Sequence, residues 1–412
     1  MLRAIHAGVP SSSFAGEGRR QLALTALVQI LAMGLWFSAS SVIPALTAEW
    51  GLTRGAAVLL TTTVQAGFAA GAIVSAITNL PDRVRPHVLI AVSASTAAAA
   101  TYAFPFCGNE IGPAVLLRFA TGFALAGVYP TGMKVVVSWF PRGRGAALGV
   151  LLAALALGSA APQLLNALGL PDWRDVLSHA ATLALLGALV AIGFVRQSPD
   201  ARPSPPWAPA HVARMFRDRR QRLIVFGYFG HMWELYALWA CLPAYIAASY
   251  AAWSPGSGSP RLTSLTAFTV IGAGGAIGCV AGGILSDRVG RVEVSRAAML
   301  LSGCCCVASV AVFGTHPIAL TLLLMVWGVA AIADSGQFST ALSEATDQRY
   351  VGTALSVQTA IGFLVSAVTI QGLPLLADAV GWQAAAPLLA IGPLCGALVM
   401  APLRKPSHSM NV

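Results

Sequence analysis

The residues best suited to chemistry in this sequence are a few charged side chains stranded in long apolar runs. His231-Met232-Trp233-Glu234-Leu235-Tyr236, followed by Trp239, places an imidazole and a carboxyl three residues apart, nearly on one helical face. A carboxyl in apolar surroundings is a place to bind and release a proton, so Glu234 and His231 are the first candidates for proton coupling. The competing role is a hydrogen-bonded pair that ties helices together. Asp334, on a face shared with Trp327 and Gln337, is the second acidic candidate, or else a counter-ion to Arg118 or Lys134. Arg118 lies in an apolar run, where a cation is costly and usually faces a cavity. Tyr129 follows about 20° around an ideal helix from Arg118, and Lys134 roughly 160° away. Lys134 therefore either lines a cavity or snorkels to an interface. Gln29, Trp36 and Ser40 share one face of the first run. With Trp233, Tyr236 and Trp239 they would wall an aromatic cavity, unless these rings sit at the headgroups, where aromatics also gather.

Such side chains need a scaffold of apolar helices. Of 412 residues, 57% are hydrophobic and 10% charged, with a mean hydropathy of +0.74. A soluble domain carries roughly 25% charged residues, so lipid must solvate much of this chain. Twelve runs reach the length of about 20 residues that crosses a bilayer. They fall near 22–46, 56–80, 87–106, 111–138, 145–169, 175–195, 222–249, 262–286, 294–314, 317–341, 350–376 and 382–403. The first run is too long for a signal-peptide core and lacks a cleavage site, so it is predicted to remain a span. The 41 glycines fit close helix–helix approach.

With the N-terminus cytoplasmic, 20 Lys and Arg residues fall on inner segments and only Arg54, Arg174 and Arg261 on outer ones. This positive-inside bias sets orientation and accounts for the net charge of +10 without nucleic acid. Residues 196–221 hold Pro203, Pro205, Pro206 and Pro209, then Arg217-Asp218-Arg219-Arg220, and divide the spans six and six. The chain thus reads as an N-terminal tail (1–20), a six-helix bundle (21–195), a cytoplasmic linker (196–221), a second bundle (222–403) and a tail (404–412). A short amphipathic helix is expected over 209–219. The halves echo each other: Pro44 with Pro243, Asp82-Arg83-Val84 with Asp287-Arg288-Val289, Gly145-x-Ala147-Leu148 with Gly352-x-Ala354-Leu355, and Trp173 with Trp382. Four matches in order at offsets of 199 to 209 argue for an internal duplication around a midplane site.

Seven cysteines lack metal-ligand spacing, and Cys304-Cys305-Cys306 read as small buried residues. No cofactor or metal is expected. There is no G-x-S-x-G elbow, and Gly272-Ala273-Gly274-Gly275 lies inside an apolar run with no following Lys, so an enzyme is not expected.

After the eighth run the chain reads Gly283-Ile284-Leu285-Ser286-Asp287-Arg288-Val289-Gly290-Arg291. This resembles the G-x-x-x-D-R-x-G-R loop of the major facilitator superfamily with every fixed position filled. The resemblance implies a breakable latch between helices, with Gly283, Asp287, Arg288, Gly290 and Arg291 as gating residues. The first-half copy, Thr78-Asn79-Leu80-Pro81-Asp82-Arg83-Val84-Arg85-Pro86, keeps Asp82 and Arg83 but neither glycine. Arg118-Phe119-Ala120-Thr121-Gly122 is similar to the R-x-x-x-G pattern of the superfamily's fourth helix, linked there to proton-coupled movement. The fifth run carries Gly149, Gly158 and Ala161-Pro162, which only partly resembles the glycine-proline motif of its antiporters and reads as packing and a kink. Some features resemble nitrate- and cyanate-like porters, but no Arg lies in the second or eighth run, which argues against nitrate.

The resemblance spans 21–403. It implies an all-α membrane protein, with twelve transmembrane helices in two pseudo-symmetric six-helix bundles and alternating access to a midplane site. The expected function is proton-coupled import of a small organic solute, anionic or aromatic, with Arg118 attracting an anionic group and Glu234 or Asp334 carrying the proton. Proton-driven efflux is the alternative, and a non-transporting membrane sensor or scaffold the reading from another class. A monomer in the bacterial inner membrane, both termini cytoplasmic, is expected.

Overall fold

The computed structural model describes residues 12–403 save 109, 141–142, 170–171, 202–206, 255–258 and 348. Residues 1–11 and 404–412, with Arg3, Arg404 and Lys405, lie outside the described residues, as do Arg142, Arg202, Pro203, Pro205 and Pro206. Among the described residues all regular structure is helical, and twelve helices are long and apolar enough to cross a bilayer. They are Gly16–Phe37, Arg54–Ile77, Pro86–Cys107, Ile111–Trp139, Arg144–Ala167, Trp173–Phe194, Arg219–Trp253, Pro260–Val289, Arg291–Val312, Pro317–Ala345, Val351–Val380 and Trp382–Leu403. A helix satisfies most of its backbone within itself, which lipid demands. An even number of crossings brings the two described ends to one face, called here the tail face.

The span ends follow local chemistry. The first span stops at Phe37, earlier than the apolar run, and the chain re-forms a short helix, Ile43–Trp50, with Pro44 in its first turn. The linker helix is Pro209–Arg217, not 209–219, because Asp218 caps the next helix: its Oδ1 accepts from the Gln221 amide at 2.8 Å. The seventh span therefore starts at Arg219.

Two spans are broken inside the membrane. The fourth consists of Ile111–Leu125 and Tyr129–Trp139, with Pro130 in the first turn of the second piece. The tenth consists of Pro317–Ala333 and Ser335–Ala345, parted at Asp334. The breaks fall at matching places in the two sextets, which extends the internal repeat to backbone conformation.

The sextets meet along two seams, second span on eleventh and fifth on eighth. Glycine makes the second seam close. A Cβ added at Gly149 would lie 2.6 Å from the Cys279 carbonyl oxygen, and one at Gly283 would lie 2.6 Å from that of Gly145.

Candidate functional site

At the centre of the interface aromatic rings from both sextets stack. Trp36 of the first span lies 4.7 Å from Phe68 of the second, 5.5 Å from Tyr236 of the seventh and 5.3 Å from Phe363 of the eleventh, between ring centroids. Phe68 and Phe363 are 4.4 Å apart, and Trp239 packs edge-on against Tyr236 and Phe37. Trp36, Phe68, Tyr236, Trp239 and Phe363 are all buried. The expected open aromatic cavity is therefore a packed plug, since flat rings exclude water best when they meet each other. Trp233 and Ser40 are not part of it. Trp233 Nε1 donates to the Leu388 carbonyl at 3.1 Å on the twelfth span, and Ser40 Oγ donates to Thr61 Oγ1 at 3.2 Å.

Glu234 is enclosed within the second sextet. Its Oε1 accepts from Ser302 Oγ at 2.6 Å, Trp327 Nε1 at 2.6 Å and Cys306 Sγ at 3.1 Å. Trp327 thus serves the carboxyl, and it also lines a small cavity with Leu238, Cys241 and Tyr245. His231 does not pair with Glu234 despite the spacing. Its Nδ1 lies 2.8 Å from Asp334 Oδ1 and its Nε2 2.8 Å from Ser335 Oγ, at the break of the tenth span. The break exposes side chains in directions a continuous helix would not offer, and it frees Asp334 from the role of counter-ion to Arg118 or Lys134.

Arg118, 1% exposed, turns to the end of the first helix. Its two Nη atoms donate to the carbonyl of Leu35, each at 3.3 Å, one of them also to that of Trp36 at 2.7 Å and the other to Ser38 Oγ at 3.4 Å. The last carbonyls of a helix lack partners in their own ladder and carry its negative end, so a guanidinium satisfies and neutralises them. Lys134 reaches the first-half loop at the tail face, where it pairs with Asp82 and donates to the Pro81 carbonyl at 3.1 Å. Between Arg118 and Tyr129 the helix is interrupted at Ala126–Val128, so the angle of an unbroken helix does not apply to the pair.

On the tail face Asp287 Oδ2 accepts from the Ala146 amide at 3.3 Å, at the start of the fifth span. Arg291 Nη1 donates to Asp287 Oδ1 at 2.7 Å, Ser286 Oγ at 2.7 Å and Gln337 Oε1 at 3.5 Å. Gln337 thus meets Arg291. Gly290 holds φ at 112°, in the region that favours glycine, which lets the loop turn back on Asp287. Arg83 and Arg288 point outward, exposed. On the opposite face Arg54 pairs with Asp378, Gln371 Nε2 donates to Thr62 Oγ1 at 3.1 Å, and Arg261 Nε donates to the Ala167 carbonyl at 2.8 Å. Contacts between sextets thus hold at both faces.

A model of the Major Facilitator Superfamily matches residues 25–370. The chain belongs to this superfamily. No curated protein matches it. As a Major Facilitator Superfamily protein with twelve apolar spans it is a secondary transporter, a multi-pass membrane protein that carries a small-molecule substrate.

Several residues of the interface escape sequence reasoning. Gln65 and Gln358 are wholly buried amides in apolar spans, a signal that was present in the sequence. Ser302, Phe68 and Phe363 resemble dozens of other residues in the runs. Cys306 donates to Glu234 while Cys304 is exposed, so the triple-cysteine run is not uniformly buried.

Proposed function

We propose that this transporter is a proton-coupled importer of a small organic ring compound, acting as a monomer in a bacterial inner membrane with the tail face cytoplasmic. The segments 21–195 and 222–403 would rock about the aromatic plug, with 196–221 as the cytoplasmic connection. The observation that carries this reading is Glu234, a carboxyl 1% exposed, bound by three donors on one oxygen. An acid in the membrane interior is costly and is retained where it moves charge. Donors from the ninth and tenth spans hold it, so any movement of those spans changes how well the ionised form is stabilised. That ties proton uptake to conformation. His231 and Asp334 offer a second exchangeable site closer to the tail face. The fifth span has Ala161-Pro162 where the superfamily's antiporters carry Gly-Pro, so export by antiport has no motif in its favour.

The test uses proteoliposomes with an imposed pH gradient. Glu234→Gln keeps the size of the side chain but cannot ionise. It is expected to abolish gradient-driven accumulation while substrate exchange continues. Equal accumulation by variant and parent removes Glu234 from coupling, and accumulation driven only by a gradient of the opposite sense makes the protein an exporter.

A further inference from the structure

The seventh span enters the membrane at Arg219 on the tail face and continues as one helix to Trp253. At about 100° per residue, Arg219, Arg222, Phe226, Phe229, Gly230 and Trp233 fall within about 100° of arc. One face of the helix thus carries two guanidiniums and then an apolar strip. That strip borders a groove of about 280 Å³ between the seventh, eleventh and twelfth spans, whose other walls include Val365, Ile391 and Cys395. Glycine brings the walls together. A Cβ added at Gly230 would overlap the Gly392 carbonyl oxygen, and one at Gly392 would lie 2.6 Å from the Trp233 Cβ. Phe226, Ile391 and Cys395 are exposed, so the groove opens away from the bundle, onto lipid. By helical rise it lies about 10 to 21 Å inward of Arg219. That is the depth of acyl chains in the tail-face leaflet, whose hydrocarbon is about 15 Å thick.

The tail-face mouth of this groove is basic. Between 214 and 222 the chain holds five arginines and one acid, Asp218. Asp218 caps the seventh span. Among the described residues none of the five arginines is in an ion pair. Arg219 is exposed, and Arg222 is half-buried with Nη1 donating to the Phe216 carbonyl at 3.3 Å. Phe216 belongs to the linker helix, and its ring stands 6.5 Å from that of Phe226 between centroids, so the linker helix borders the mouth. A helix of another protein would fill the groove and leave the two guanidiniums without a counter-ion. A zwitterionic lipid would bring its own cation beside them. A lipid with an anionic headgroup satisfies the groove with hydrocarbon and the arginines with phosphate.

We propose that this groove is a binding site for one anionic phospholipid of the tail-face leaflet, with an acyl chain laid between Phe226 and Cys395 and the phosphate held by Arg219 and Arg222. The positive-inside bias requires only that arginines lie near the membrane on one side. The register of Arg219 and Arg222 above the groove is a further property, which a lipid site explains. The site lies on the outer surface of the second sextet, away from the aromatic plug, and does not rest on the transport reading.

The test counts lipids bound to the purified full-length protein by native mass spectrometry, with phosphatidylglycerol and phosphatidylcholine of the same chains. A guanidinium beside an anionic headgroup is worth about fivefold in affinity, so the first phosphatidylglycerol should bind about 25-fold more tightly than phosphatidylcholine. Arg219→Gln/Arg222→Gln is expected to erase that preference. Arg19→Gln/Arg85→Gln, which removes two exposed tail-face arginines of the first sextet, is expected to keep it. Cys395→Phe narrows the groove from an exposed position and should weaken the first site for both lipids. Glycerol 3-phosphate, a headgroup without chains, should not compete. Equal affinity for the two lipids overturns the proposal, as does equal loss in the two arginine variants or an unchanged first site in Cys395→Phe. Competition by glycerol 3-phosphate also overturns it, because the groove would then be idle. So does a dimer that Cys395→Phe dissolves, since the groove would be a contact between two copies. The arginine variants change only groups at the surface, so they decide the matter even where Cys395→Phe does not fold.

Discussion

The glycine seam between the fifth and eighth spans gives a direct test of how the sextets part. Gly149→Ala and Gly283→Ala each add one methyl to a place where helix backbones touch. The new Cβ would stand 2.6 Å from a carbonyl oxygen, against 3.4 Å where ordinary contact begins. The backbones must therefore withdraw by about 0.8 Å, because a helical carbonyl cannot swing aside as a flexible side chain can. Overpacking of this kind costs about 1–3 kcal/mol. The gain in helix propensity from Gly to Ala is the same in every state that keeps the helix, so it cancels from the equilibrium. The cost falls only on states that keep the seam shut, and a difference of about 1–3 kcal/mol shifts their population roughly 5–150-fold. Spin labels at the exposed tail-face residues Arg144 and Arg288 would report it by pulsed distance measurement. A larger long-distance population is expected in both variants. Gly55→Ala, where nothing lies within 4 Å, should leave the distribution unchanged. An unaltered distribution in folded Gly149→Ala protein would refute the idea that this seam is the closed tail-face gate.

Other consequences follow from single contacts. Arg118→Lys keeps the charge but gives up the fork that spans the Leu35 and Trp36 carbonyls, so stability should fall by about 1–3 kcal/mol in a denaturant titration. Lys134→Gln and Asp82→Asn should each destabilise more than expected from the double variant, because either single change removes one charge of a part-buried ion pair; a thermal double-mutant cycle with no coupling would contradict the pairing. On the opposite face Arg174, with help from the Trp173 indole, holds the Glu49 carboxyl down at about 2 from an ordinary 4.5. The stabilisation this contact brings is therefore complete above pH 4.5 and fades as pH falls toward 2. The difference in melting midpoint between parent and Arg174→Gln should be constant from pH 8 to 5 and shrink on further acidification.

The span count and the contact between Asp287 and Arg291 were legible in the sequence. Apolar run length reports a span because a helix meets lipid's demand on the backbone within its own residues. Asp287 and Arg291 find each other across four residues of local chain, so a short motif suffices to place them. The partners of buried polar groups were a different matter. His231 and Glu234 share a face by spacing, yet the imidazole meets Asp334 and the carboxyl meets Trp327. Arg118 and Tyr129 fall on one face only if the helix between them continues, and it breaks at Ala126–Val128. Which group a buried side chain meets depends on how neighbouring helices are rotated and where each is interrupted. Those quantities are set by packing among all twelve spans, so only the tertiary structure decided that both Nη atoms of Arg118 are spent on a helix end.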